Sequence, residues 1–260
     1  MKKLALMLIT ALLLTAATAE PTDKPTIFAS KYNHLYILRP PEPLYIDDFD
    51  LPWGYVGLAY DGSYWWVVDY YDTVYQFDYG GDFVSSFTTP APDPRGLGFD
   101  GEYLWISCEE SEFDNVKVYQ CALDGTPGPM GDFPAYGSAG LKFFQGNVLT
   151  LTYDNYVYFY SPDGTFIRNL EILPDGGYEQ RTYAMADDDT YLWIIIYWGE
   201  PYEDSYVYKI DPDTGEYAGE SVWAGSSVPF SGLAYADWTY TEVEAESLGK
   251  IKAFFREGGK

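Results

Sequence analysis

The stretch Gly57–Asp69, GLAYDGSYWWVVD, is written again at Gly96–Cys108 as GLGFDGEYLWISC. Further copies follow: GLKFFQGNVLTLTYDNYVYFY from Gly140, YAMADDDTYLWIIIYW from Tyr183 and GLAYADWTYTEV from Gly232. A worn copy, IFASKYNHLYILRPPEPLYIDDF, starts at Ile27. From Gly57 onward the starts lie 39, 44, 43 and 49 residues apart. A period in the forties with several short strands per unit is the mark of a β-propeller, not of a helical solenoid.

One unit reads as four strands: GLAY, YWWVVD, VYQFD and FVSSF, joined by DGS, YDT and YGGD turns. The second strands (YWWVVD, YLWISC, VLTLTY, YLWIIIY) are apolar on both faces, so both faces must be covered. Blades stacked side by side do this. The glycine heading most copies fits an inner strand that crowds the central axis, and the Asp-Gly pairs at 61–62, 100–101, 124–125 and 163–164 fit tight turns. The chain is expected to be an all-β propeller of four-stranded antiparallel blades, spanning residues 20–260 as one domain. Six blades are favoured, near 25–53, 54–92, 93–136, 137–177, 178–228 and 229–258. Five follow instead if the two end copies share one sheet.

Residues 1–19 have the layout of a signal peptide: Lys2 and Lys3, an apolar run from Leu4 to Leu14, then Ala17-Thr18-Ala19. The expectation is export, to a periplasmic or extracellular compartment. Without that leader the chain has 13 basic and 40 acidic residues, a net charge of 13 − 40 = −27. Such a surface disfavours nucleic acid and anionic membranes as partners. The 27 Tyr, 15 Phe and 8 Trp bury enough apolar surface to outweigh the disorder that acidity alone would suggest. A monomer is expected.

GLAYDGSYWWVVDYYDTVYQFD and GLGFDGEYLWIS resemble the repeats of secreted bacterial propellers of the glutaminyl-cyclotransferase-like and "YLWV" superfamily. The resemblance implies a propeller over nearly the whole mature chain and leaves function open, because such blades carry enzymes and binding scaffolds alike. The cyclotransferases' FTQGL-like segment has no match here; LPWGYVGLAY at Leu51 is nearest and lacks its polar residues. The tail SLGKIKAFFR is similar to the ends of exported bacterial repeat proteins. It reads as a strand closing the ring, with a sorting signal as the alternative.

His34 is the sole histidine, which excludes multi-His zinc sites and leaves one candidate base for any Ser-His-Asp triad. No catalytic residue is assigned. The acidic runs at Asp47-Asp48-Asp50, Glu109-Glu110-Glu112-Asp114 and Asp187-Asp188-Asp189 read as solvated turns, Ca²⁺ being the ion their oxygens would suit. Cys108 and Cys121, on adjacent strands of an exported chain, are expected to form a disulfide worth about 3 kcal/mol. Ligand contact is expected on the face made by the loops leading into each blade and those joining second to third strands. There Arg95 and Arg181 stand in comparable places and could hold a carboxylate or sulfate. Tyr70, Tyr71, Trp198 and Tyr202 offer aromatic platforms. The resulting expectation is a non-enzymatic propeller binding a protein partner or glycan. The alternative is a carboxylate-based enzyme of cyclotransferase, lyase or hydrolase type at the channel mouth.

Overall fold

The computed structural model describes residues 26–31, 34–39, 42–44, 54–78, 82–111, 115–137, 139–172, 180–199, 204–226 and 232–236. Four blades are built from consecutive antiparallel strands. The first holds β4 (Tyr55–Tyr60), β5 (Trp65–Asp69), β6 (Thr73–Phe77) and β7 (Phe83–Thr88). The second holds β8 (Pro94–Phe99), β9 (Leu104–Ser111), β10 (Asn115–Cys121) and β11 (Pro127–Tyr136). The third holds β12 (Gly140–Phe144), β13 (Asn147–Leu151), β14 (Tyr156–Tyr160) and β15 (Phe166–Glu171). The fourth holds β16 (Gln180–Asp187), β17 (Leu192–Trp198), β18 (Asp204–Ile210) and β19 (Tyr217–Ser226).

The end copies do not form separate blades, so the favoured count of six is corrected. β1 (Thr26–Lys31), β2 (His34–Arg39) and β3 (Glu42–Leu44) join β20 (Gly232–Ala236) in one four-stranded sheet, ordered β20-β1-β2-β3. The N-terminal copy begins with a second strand, not a first. Thr26 pairs with Ala236 and Ser30 with Gly232, so the C-terminal copy contributes the missing inner strand. The physical gain is an edge removed at each terminus. Closure is thus made by Gly232–Ala236; the leader and the tail lie outside the described residues. The inner strands touch in sequence, β4 to β8, β8 to β12, β12 to β16, β16 to β20 and β20 back to β4.

The second strands are buried as their composition requires. All five residues of β5 are buried, as are Leu104–Cys108 and Leu192–Ile196. Trp66, Trp105 and Trp193 are the largest fully buried side chains, and each needs a partner for its indole N–H. The turn aspartates meet that need: Trp66, Trp105 and Trp193 donate to Asp61, Asp100 and Asp188 at 2.7, 2.7 and 2.9 Å. The other oxygen of each carboxylate accepts two turn N–H groups, such as those of Glu102 and Tyr103 on Asp100. The repeated Asp-x4-Trp spacing is therefore one device that closes a turn and satisfies a buried indole.

Cys108 and Cys121 are buried free thiols, so the expected disulfide is corrected. The β9–β10 register sets Cys108 opposite Lys117 and Cys121 opposite Leu104. Four positions of offset separate them by about 13 Å along the strands, beyond disulfide reach. Both pack on the apolar face toward the first blade. Burial pushes the thiols up, to about 12 for Cys108 and about 11 for Cys121.

Some inner strands approach so closely that a β-carbon has no room at their heads. A Cβ on Gly57 would lie 2.8 Å from the Leu97 backbone nitrogen, and one on Gly96 would lie 2.4 Å from that of Leu141. At Gly140 the nearest atom would be 3.5 Å away, an ordinary contact, and its counterpart in the fourth blade is Ala184. Gly96→Ala is therefore expected to destabilise by about 2–3 kcal/mol in chemical denaturation. Gly140→Ala is expected to cost less than about 1 kcal/mol; equal losses would refute the crowding account.

Candidate functional site

Register aligns the inner strands residue by residue. Gly57, Gly96, Gly140 and Ala184 pair with Val68, Ser107, Leu151 and Ile195, and Gly232 heads the fifth strand. Beside these positions lies a small cavity of about 10 Å³, lined by glycines and by Leu58, Leu97, Leu141, Met185 and Leu233. That admits at most one water. The channel has a mouth at each end of these strands.

The first mouth lies where the inner strands begin and carries Arg95, Arg181, Tyr70, Tyr71 and Trp198. In β4, β8 and β16 one residue bulges just before the aligned position: Val56, Arg95 and Tyr183. Arg95 and Arg181 are therefore not equivalent. The counterpart of Arg95 is Tyr183, and Arg181 sits exposed two residues earlier, opposite Tyr197. The Arg95 guanidinium is ion-paired with Glu109, its Nε donating at 2.7 Å, and lies 5.7 Å from the Tyr70 ring centre. Tyr153 packs edge-on against Tyr183 at 5.3 Å, and Tyr183 against Tyr197 at 6.3 Å. Burial pushes the Tyr153 hydroxyl to about 12. Tyr70 and Tyr71 are 47% and 73% exposed. Trp198 donates to the Tyr208 hydroxyl at 3.1 Å. Tyr202 lies outside the described residues.

The second mouth, at the far end of the same strands and on the order of 15 Å away, was not singled out by sequence reasoning. Its cavity of about 440 Å³ is lined by Tyr60, Phe99, Phe143, Asp100, Gln145, Asp189, Asp187 and Lys142, among others. At one aligned position four inner strands carry Ala59, Gly98, Ala186 and Ala234, and the third blade carries Lys142. One step on, Tyr60, Phe99 and Phe143 give way to Asp187. Lys142 is 6% exposed, and its Nζ reaches past β8 to donate to the Leu58 carbonyl at 2.8 Å. Burial lowers its ammonium to about 8, against the pull of Asp187. Burial raises the Asp187 carboxyl to about 6, opposed by Lys142. The missed signal was a departure from the repeat: Lys and Asp where the other copies have small or aromatic residues.

The Asp187-Asp188-Asp189 run divides its work. Asp188 holds the turn and Trp193, while Asp187 faces Lys142. No group of three metal-ligating side chains occurs among the described residues. Asp47, Asp48 and Asp50 lie outside them, as do Glu112 and Asp114. His34 opens β2, opposite Lys31.

No family model matches the sequence, and no curated protein matches it. Among solved structures, the chain is similar to glutaminyl cyclase of Myxococcus xanthus, at 16% identity, 69% coverage of each chain and TM-score 0.50. It also matches a protein of unknown function from Bacteroides caccae (9% identity, 82% and 98% coverage, TM-score 0.45). A third match is hydrazine synthase of Kuenenia stuttgartiensis (16%, 65% and 49%, 0.42). The chain has a glutaminyl-cyclase-like propeller fold, and at these identities the likeness is one of fold.

The half-buried Asp187 carboxyl yields a pH test. Around Asp187 stand Lys142 from β12, Tyr60 from β4, Asp100 from the turn after β8, and Asp188 and Asp189 from its own turn. Its folded value is raised, so the native state holds an extra proton between about pH 4 and pH 6. Native stability from this group therefore falls as pH rises through that window. Asp187→Asn should gain on the native chain by about 1–2 kcal/mol between pH 4 and pH 6. Denaturation curves at the two pH values with a constant difference would contradict this.

Proposed function

We propose that the protein is an exported, monomeric, non-enzymatic propeller that binds a protein partner through the mouth where its inner strands begin. A glycan is the other occupant that the same surface chemistry admits. The observation carrying the reading is the aromatic band at that mouth: exposed Tyr70 beside Arg95, with exposed Tyr71 next in the chain, together with Tyr153, Tyr183 and Tyr197. Tyrosine and arginine provide large contact area with polar tips, the composition enriched where binding energy concentrates. The groups displaced here, Arg95 and Tyr153, both move upward, away from neutral pH, which suits contact rather than proton transfer. The leader-like residues 1–19 support export, and the acidic surface argues against nucleic acid and membranes as partners.

A second reading, a carboxylate-based enzyme, is favoured by one observation at the opposite mouth: Asp187 raised to about 6 beside Lys142 lowered to about 8. The two readings separate experimentally. Glycan-array and secreted-protein interaction measurements are expected to find a ligand whose affinity drops about tenfold or more in Tyr70→Ala/Tyr71→Ala, with melting unchanged. An assay for glutaminyl cyclase activity is expected to be negative. Turnover abolished by Asp187→Asn, with binding indifferent to Tyr70 and Tyr71, would replace the first reading with the second.

A further inference from the structure

The cavity at the second mouth is built unlike a repeat surface. Three blades present an aromatic residue at one aligned position, Tyr60, Phe99 and Phe143, and the fourth presents Asp187. The neighbouring position is small in four strands, which opens room on the axis, and Lys142 enters that room from the fifth. Lys142 has three N–H donors, and the Leu58 carbonyl takes one. Asp187 accepts, through Oδ1, a 3.4 Å contact from the Asp189 backbone N–H, which leaves Oδ2 for a further donor. Asp100 is already engaged on both oxygens, by two turn amides and the Trp105 indole.

This arrangement selects by charge and by shape. An anion entering it meets Asp187, Asp189 and the acidic chain as a whole. A cation meets the buried Lys142 ammonium. A neutral ligand that presents an acceptor to Lys142 and a donor to Asp187 makes two charge-assisted hydrogen bonds without either penalty. Tyr60, Phe99 and Phe143 then require that the rest of that ligand be apolar on a face. A pyranose ring meets all three conditions: adjacent hydroxyls that both donate and accept, no charge, and a C–H face. A cavity of about 440 Å³ accommodates such a ring with one substituent.

We propose that the second mouth is a binding site for a single neutral sugar residue, held between Lys142 and Asp187 and packed on the Tyr60, Phe99 and Phe143 side chains. The site is independent of the binding face at the first mouth and requires no turnover. Methyl glycosides of glucose, galactose, mannose and N-acetylglucosamine are the probes, followed by saturation-transfer NMR and calorimetry. At least one should bind saturably in the millimolar range. Affinity should fall about tenfold or more in Asp187→Asn and in Lys142→Met, since each loses a hydrogen bond to a charged group. Replacing a buried ammonium by a thioether of similar length is tolerated in many cores; should Lys142→Met fail to fold, the isosteric Asp187→Asn alone decides. Arg95→Ala should bind the glycoside unchanged, which separates this site from the first mouth. Glycosides that fail to saturate below about 50 mM, affinity unaltered in Asp187→Asn, or binding of choline or adenosine in preference to every glycoside would each overturn the proposal.

Discussion

The contact between the heads of adjacent inner strands is the constraint on which this molecule depends. Where Gly57 meets Leu97 and Gly96 meets Leu141, backbone approaches backbone with no room for a β-carbon, and Gly232 meets Leu58 and Ser30 in the same way. That approach draws the sheets together around the axis and holds each second strand between neighbours, which is why strands apolar on both faces are stable here. The two ends of the inner strands carry different side chains, Arg95 with tyrosines at one and Lys142 with Asp187 at the other.

Function in a repeat fold resides where the repeat is broken. The Asp-x4-Trp device recurs in three of the four full blades because each of these must close a turn and satisfy a buried indole. Arg95 breaks the pattern by occupying a bulge that Val56 and Tyr183 occupy in other blades, and a bulge redirects a side chain. Lys142 and Asp187 break it more sharply, placing charge where the other strands keep small or aromatic side chains. A buried ammonium and a half-buried carboxylate carry a desolvation cost that structure alone does not require. The likeness to glutaminyl cyclase concerns the scaffold, and scaffolds of this kind host unrelated sites.

Much of the scaffold was legible in the sequence because its causes are local and repeated. Period, strand number per blade, the two-faced second strands and the turn glycines all follow from rules that act within a dozen residues; Gly62, Gly101, Gly125 and Gly164 all adopt positive φ as their turns demand. The blade count was not legible in this way. IFASK reads equally well as a first or a second strand until β20 is seen beside it, because only long-range pairing identifies an edge. The cysteines failed for a related reason. Adjacent strands suggest facing thiols, but the hairpin register, offset by four positions, decides.

The sequence by itself determined that this is an all-β chain of repeated four-stranded blades with aromatic cores, since periodicity and turn chemistry are properties of neighbours along the chain. Only the tertiary structure decided how the ends join, which arginine stands at the mouth, and that Lys142 and Asp187, 45 positions apart, line one cavity from neighbouring inner strands. Those outcomes depend on register and on the width of a channel set by glycine contacts between blades. Neither quantity is written in any one repeat.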